Sequence, residues 1–242
     1  MADEPREAAP APGPKTILLP SRDTEIAAFI AAASPVPVNV TSNPSAQLGP
    51  SDLGILIVDK VDPALRAAAT RLLSERIPYV VLVQRDVWRA ASGAVHKLLD
   101  EIQQDPRRKL IRFWRDRAEL EQTLRNDVLT LDDSALVRQT MGDGAFVRVG
   151  SIFEQTWELE NTGFRVWNGR WLKELAGENL TPERDPLPIS RTEPGKRVAI
   201  TARFAAPAGP SSCRSVWQMV DHDGRLSFPW APGIWCRVLS VF

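Results

Sequence analysis

The chain has 242 residues, enough for two ordinary domains, and its 43% hydrophobic and 25% charged content is the balance of a soluble globular protein. Thirty Lys and Arg offset thirty Asp and Glu, so no global field recruits nucleic acid or an anionic membrane. No apolar run approaches the roughly 20 residues that span a bilayer, and no zinc spacing or phosphate-cradling glycine loop occurs, so no metal or cofactor is expected. The opening MADEPREAAPAPGPK carries acids and prolines without an apolar centre, which reads as a disordered tail over 1–14 rather than a secretory signal. Two cysteines in such a chain suggest free thiols in a reducing cytoplasm, and the Ala, Arg and Pro bias is that of a high-GC bacterium.

From residue 15 to 131 strand and helix patterns alternate. KTILLP reads as a strand, SRDTEIAAFIAAAS as a helix and VPVNVT as a short strand. DLGILIVDK lacks alternation, as a strand buried on both faces does. PALRAAATRLLSERI is a helix with Pro63 in its first turn, followed by the strand PYVVLVQ, the helix AVHKLLDEIQQ and the strand KLIRFW. RAELEQTLRNDVLTL closes as an amphipathic helix carrying Leu120, Leu124, Val128 and Leu131. Such alternation predicts a parallel sheet covered on both sides, and right-handed crossovers favour the flavodoxin-like order 2-1-3-4-5.

IPYVVLVQRD followed by RKLIRFWRDRAELEQTL resembles the TIR-like and nucleoside-deoxyribosyltransferase-like Rossmannoid group. That resemblance implies a catalytic Glu early on the helix after the third strand. The place reads Asp62-Pro63-Ala64-Leu65-Arg66-Ala67, and the next acid, Glu75, stands about 18 Å further along the helix. Ligand chemistry in these sheets sits at the carboxyl ends of the strands, so the half reads as a scaffold without catalysis; NAD or nucleotide processing is the alternative. Asp59, ending the third strand, could imitate a phosphoacceptor, but only Asp23 accompanies it after the first strand and no Lys follows the fifth. Ser21 could cap the first helix, and Arg22 with the helix amides could hold an anion. The basic run Arg107-Arg108-Lys109, with Arg112, Arg115 and Arg117, suits an acidic partner or nucleic acid, but in a neutral chain it reads more simply as a solvated edge.

Beyond Asp132-Asp133 the period changes to two. Phe153, Trp157 and Leu159 share one strand face against Glu154, Thr156, Glu158 and Glu160; Val198, Ile200, Ala202 and Phe204 repeat this against Arg197, Thr201 and Arg203. Asn161-Thr162-Gly163, Pro194-Gly195 and Asp223-Gly224 mark turns. His222 belongs to the last of these, and Asp221 with Asp223 lacks the other oxygens a calcium site needs. His96 reads as part of a solvated helix face. Six of the eight Trp lie between Trp157 and Trp235.

The order Gly150, Phe153, Trp157, Asn161-Thr162-Gly163, Trp167, Pro194-Gly195, Ala206-Pro207, Trp217, Asp223-Gly224, Phe228, Ile234-Trp235 resembles the four-tryptophan (FW) Ig-like domain of autophagy cargo receptors and bacterial proteins. Pro229 stands where that family usually has Gly, and Trp171 and Trp230 are additional. The resemblance implies a seven-stranded or similar β-sandwich over 134–242 that binds another protein. Trp157, Trp167 and Trp217 point inward by alternation, as do Cys213 and Cys236. Trp235 is out of phase with Ile234, Cys236 and Val238 and faces out beside Arg237; Trp230 lies in the proline-flanked FPWAPG loop and Trp171 among charges. Exposed Trp and Arg are the side chains enriched in binding hot spots, so Trp171, Trp230, Trp235 and Arg237 form the expected partner-binding set.

Overall fold

The computed structural model describes all residues except 1–13, 22, 44, 49–51, 61–62, 76, 91–92, 106–107, 230 and 232. The expected tail, Arg22 and Trp230 therefore lie outside the described residues. In chain order, β1 (Lys15–Leu18), α1 (Thr24–Ala33), β2 (Val38–Thr41), β3 (Leu53–Val58), α2 (Pro63–Glu75), β4 (Tyr79–Gln84), α3 (Arg85–Arg89), α4 (Gly93–Gln103), β5 (Arg108–Trp114) and α5 (Arg117–Thr123) build the N-terminal half. All its strand pairs are parallel and the order is β2-β1-β3-β4-β5, as the alternating pattern predicted.

Burial explains the continuous apolar strands. Leu56 and Val58 of β3 pack on one side with Leu65, Ala68, Ala69 and Leu72 of α2 and with Leu98, Leu99 and Ile102 of α4. Leu53 and Ile55 pack on the other with Ile26 and Ile30 of α1 and Leu120 beyond β5. The two layers of helices thus remove both faces of the sheet from water. Where α2 crosses β3, a Cβ on Gly54 would lie 2.4 Å from Leu72 Cδ1, so any larger residue would force the Leu72 side chain to move.

The last helix differs from its expected form. It is α-helical only to Thr123 and then opens into one π-helical turn, Leu124–Val128, closed by Leu129 N–H donating to Leu124 O at 2.8 Å. Leu124, Val128 and Leu129 are all buried, so the widened turn keeps the apolar set inward. The short α3, which follows β4 directly, was not expected.

The C-terminal half contains β6 (Ser134–Gln139), β7 (Ala145–Arg148), β8 (Ile152–Asn161), β9 (Arg170–Glu178), β10 (Thr181–Pro182), β11 (Leu187–Ile189), β12 (Arg197–Ala205), β13 (Ser211–Val220) and β14 (Ile234–Val241). They form a four-stranded sheet, β10-β12-β8-β6, and a five-stranded sheet, β11-β9-β13-β14-β7. The count exceeds seven through short pieces such as β10 and β11. Between the sheets lies one core around Trp157, Trp167, Trp217 and Phe204.

The halves are joined through the Asn161-Thr162-Gly163 turn. Phe164, just after it, is buried in the α/β core beside Trp114 and Leu124, and its N–H donates to Leu131 O at 2.8 Å. A Cβ on Gly163 would lie 2.7 Å from the backbone N of Asp133. Lys15 Nζ donates to Thr162 O and sits 4.5 Å from the Phe164 ring centroid, and Lys109 pairs with Asp133 at 2.9 Å.

Candidate interaction face

The interior of the sandwich is spent on packing. Trp157 and Trp217 have ring centroids 5.9 Å apart, and Phe204 meets Trp217 edge-on at 6.1 Å. Each indole N–H is satisfied: Trp157 donates to Trp235 O at 3.2 Å, Trp167 to Asp132 Oδ1 at 3.3 Å, and Trp217 to Ser215 Oγ at 2.6 Å. Ser215 in turn donates to Glu174 at 2.5 Å. Cys213 and Cys236 are free and buried, and burial pushes the Cys236 thiol up to about 12, so it is a packing group at neutral pH.

The outer faces of the two sheets differ in kind. On the four-stranded sheet Arg197 is registered opposite Glu160, Arg203 opposite Glu154 and Arg138 opposite Glu158. Each pair closes, at 3.0, 3.3 and 2.6 Å, and Arg203 also reaches Glu183 at 3.0 Å. Thr156 and Thr201 hydrogen-bond across the same face at 2.8 Å. Glu160 lies on this polar face as alternation required, yet it is only 4% exposed, enclosed where the halves meet.

On the five-stranded sheet Arg214 is registered directly opposite Arg237. Asp143 approaches Arg237 at 3.7 Å, while Arg148, Lys173 and Arg214 have no ion pair among the described residues. Glu178 stands across from Arg214. Among these cations sit apolar groups: Trp235, 40% exposed and opposite Val216; Ala176 beside Val216; Leu175, 48% exposed; and Phe146, 71% exposed and opposite Leu239. Leu175 is the extra residue of a bulge in β9, standing beside Ala176 opposite the Val216–Trp217 step of β13.

Trp235 and Arg237 are therefore brought together, two residues apart on one strand face. Trp171 shares the sheet but is half-buried between Pro188 and Val220, about 13 Å along β13 from the Trp235 row. Arg214, Val216, Leu175 and Phe146 were not singled out from the sequence. The period-two pattern of SSCRSVWQMV did place Arg214 and Val216 opposite the Trp217 face; the cross-strand register with β14 was the missing information.

In the α/β half, α1 is capped by Asp23, whose Oδ1 accepts from the Glu25 and Ile26 N–H groups at 3.0 Å each. Ser21 is not the cap; its Oγ accepts from Asp23 N–H at 3.1 Å. The helix amides that would hold an anion thus already face a carboxylate, which also pairs with Arg117 at 2.7 Å. Asp59 is exposed at the end of β3, and Glu75 closes α2 in a pair with Arg71 at 2.8 Å. Arg107 lies outside the described residues; of the rest of the basic run, Arg112 pairs with Asp127 at 2.7 Å, Arg115 with Glu119 at 3.0 Å and Arg117 with Glu121 at 2.7 Å. Arg115 holds the Glu119 carboxyl below its usual range by that hydrogen bond. His96 rests edge-on against Trp88 at 4.9 Å. In the Asp223-Gly224 turn, Asp221 accepts from the Arg225 and Asp223 N–H groups, which lowers its carboxyl. Among the described residues no group of three or more His, Cys, Asp or Glu could hold a metal, and no helix is long and apolar enough to cross a membrane. A groove of about 970 Å³ runs along the junction, lined on one side by Val36 and Pro37 and on the other by Leu136 and Val137.

Known proteins bear on the C-terminal half. The family model of the Ig-like domain from next to BRCA1 gene matches residues 140–239. The chain carries a C-terminal Ig-like domain. No curated protein matches the chain. Among solved structures, translation elongation factor SelB from Methanococcus maripaludis in its apo form is 9% identical, over 80% of this chain and 55% of that one, with a TM-score of 0.30. A mutant β-glucosidase from Listeria innocua in complex with laminaribiose is 8% identical, over 96% of this chain and 46% of that one, with a TM-score of 0.29. The chain thus spans about half the length of either.

Proposed function

We propose that the chain is an adaptor that recognises a protein partner through the outer face of the five-stranded sheet of its Ig-like domain. Trp235 and Arg237 lie at the centre of that face, and Trp171 stands toward its rim. The observation that carries this reading is the difference between the two outer faces. The four-stranded sheet pairs its arginines with its own glutamates, while on the five-stranded sheet three cations have no ion pair among the described residues and stand beside exposed Trp, Leu and Phe. Contiguous exposed apolar groups rimmed by charge mark interaction sites. The domain matches an Ig-like family, and the resemblance to the FW type points to the same use.

In this reading the α/β half, residues 15–131, is a flavodoxin-like, TIR-like scaffold or sensor that works in the cytoplasm without catalysis. Support comes from Glu75 at the far end of α2 and from Asp23, which is engaged as a cap and an ion-pair partner. The reading is tested with the full chain immobilised and exposed to lysate of the source organism. A specific co-purifying protein should be retained by the wild type and by Arg203→Gln, and lost with Trp235→Ala. Retention by all three, or NAD or nucleoside turnover lost on Asp59→Asn, would overturn it.

A further inference from the structure

The same face also specifies what it would bind, an inference that rests on the adaptor reading. Its side chains fall in rows across β13, β14 and β7. The first row is Val216 and Trp235, flanked by Ala176 and Leu175. Two residues along, about 6.7 Å, comes the row Arg214 and Arg237. The next row is Leu239 and Phe146, and the fourth is Val241 and Arg148. Apolar and cationic rows thus alternate along the strands at the spacing of side chains i and i+2 of an extended chain.

Like charges directly opposite one another on a sheet are unfavourable, and Arg214 and Arg237 occupy such a pair. A carboxylate placed between them would remove the repulsion and form charge-assisted hydrogen bonds with two guanidinium groups. We propose that this face takes an extended protein segment in which apolar and acidic side chains alternate on one side, in the pattern apolar-x-acid-x-apolar-x-acid. The first apolar side chain seats on Trp235 and Val216, the first acid between Arg214 and Arg237, the second apolar side chain on Leu239 and Phe146, and the last acid at Arg148. The aliphatic groups between the cations favour a protein segment over nucleic acid, which has no apolar side chain to place on Val216 or Leu239. Charge complementarity decides the sign: four cations face the solvent here against Glu178 and Asp143.

The probe is the heptapeptide Leu-Ser-Glu-Ser-Leu-Ser-Glu, blocked at both ends and fluorescently labelled, titrated with the full chain at low and moderate salt. Its counterpart carries Gln in place of both Glu. The acidic peptide should bind at least tenfold tighter than the Gln peptide, and Arg214→Gln or Arg237→Gln should abolish that preference. Arg203→Gln, on the self-paired sheet, should leave it intact. Arg214→Glu combined with Arg237→Glu should shift preference to a peptide with Lys in place of Glu; this reversal separates recognition from loss of folding. Equal binding of the acidic and Gln peptides, no binding of either, or no effect of the Arg214 and Arg237 variants overturns the inference. So does tight binding of a single-stranded oligonucleotide that is lost with Arg214→Gln. If Trp235→Ala still releases the native partner while the peptides fail to discriminate, the adaptor reading stands and only the acidic-segment inference falls. If Trp235→Ala releases nothing, the reading itself falls.

Discussion

On the four-stranded sheet Arg138, Arg197 and Arg203 each find a Glu one strand away, whereas on the five-stranded sheet Arg214 faces Arg237 and Trp235 faces the solvent. Both sheets obey the same alternation, and both contribute their inward residues to one core. What separates them is cross-strand register, which pairs opposite charges on one sheet and like charges on the other. Period-two patterning therefore says which residues face out; the partners across the strand decide whether that outward face is finished or awaits another molecule.

The largest expected effects test whether tryptophans divide between the core and the open face. Trp157 and Trp217 are fully buried, so Trp157→Ala or Trp217→Ala should destabilise the chain by about 3–5 kcal/mol in denaturant unfolding. Trp235→Ala should cost less than about 1 kcal/mol, because its ring is half-exposed and the Trp157 N–H bonds to its backbone oxygen, which survives. If Trp235→Ala unfolds the chain as badly as Trp157→Ala, the open face is in truth a packing surface and the contrast between the sheets collapses.

The open face can serve a partner only if the α/β half docks elsewhere, and Phe164 shows where it docks. Phe164→Ala should cost about 3 kcal/mol, the lower end for a large aromatic lost from a core, and should split one cooperative transition into two. Differential hydrogen exchange should then rise in α1 and the Leu124–Val128 turn, with little change in β13 or β14. A rise in β14 instead would place the docking contact on the face assigned here to the partner.

Much of this was legible beforehand. The order of the parallel strands followed from alternating elements, and the inward Trp157, Trp167 and Trp217 and outward Trp235 followed from phase. Other features were out of reach for physical reasons. The π-helical turn at Leu124–Val128 depends on fitting Leu129 into the core beside Val128, which periodicity alone cannot register. Asp23 rather than Ser21 caps α1 because the helix starts two residues later than the Pro20-Ser21 signal suggested. Phe164 directly follows the Asn161-Thr162-Gly163 turn, where local pattern carries no sign of burial, yet it fills a core contributed by segments as distant as α1.

A pH-dependent effect of the junction should be smaller, since burial and nearby carboxylates act on the same amine in opposite directions. Burial lowers Lys15 to about 8, and the carboxylates of Asp133 and Asp52 offset part of that. The unfolded chain holds this proton up to its ordinary value of 10.5, so between about pH 8 and 10.5 the unfolded state binds more protons than the folded one. The Lys15 contribution to stability should therefore rise with pH across that window, with the burial penalty on the charged amine greatest below pH 8. In melting experiments the stability of the wild type relative to Lys15→Met should rise as pH goes from about 8 to 10. A relative stability that stays flat over this range would mean that the attraction of Asp133 and Asp52 offsets burial and holds the amine at or above its ordinary value.

The smallest effects are the most direct comparison of the two outer faces. Double-mutant cycles on Arg138 with Glu158 and on Arg203 with Glu154 should give favourable couplings of about 0.2–1 kcal/mol, as exposed cross-strand ion pairs do. The cycle on Arg214 with Arg237 should give a coupling of similar size and opposite sign, because each Arg then relieves the other when it is removed. Arg214→Gln alone should leave stability unchanged or slightly raised, whereas Arg203→Gln, which loses contacts to both Glu154 and Glu183, should lower it. Raising the salt concentration should shrink all three couplings toward zero, since these charges face water. A favourable coupling between Arg214 and Arg237 would mean that their guanidinium groups are already bridged, by Asp143 and Glu178 acting together, and that this face is as complete as the other.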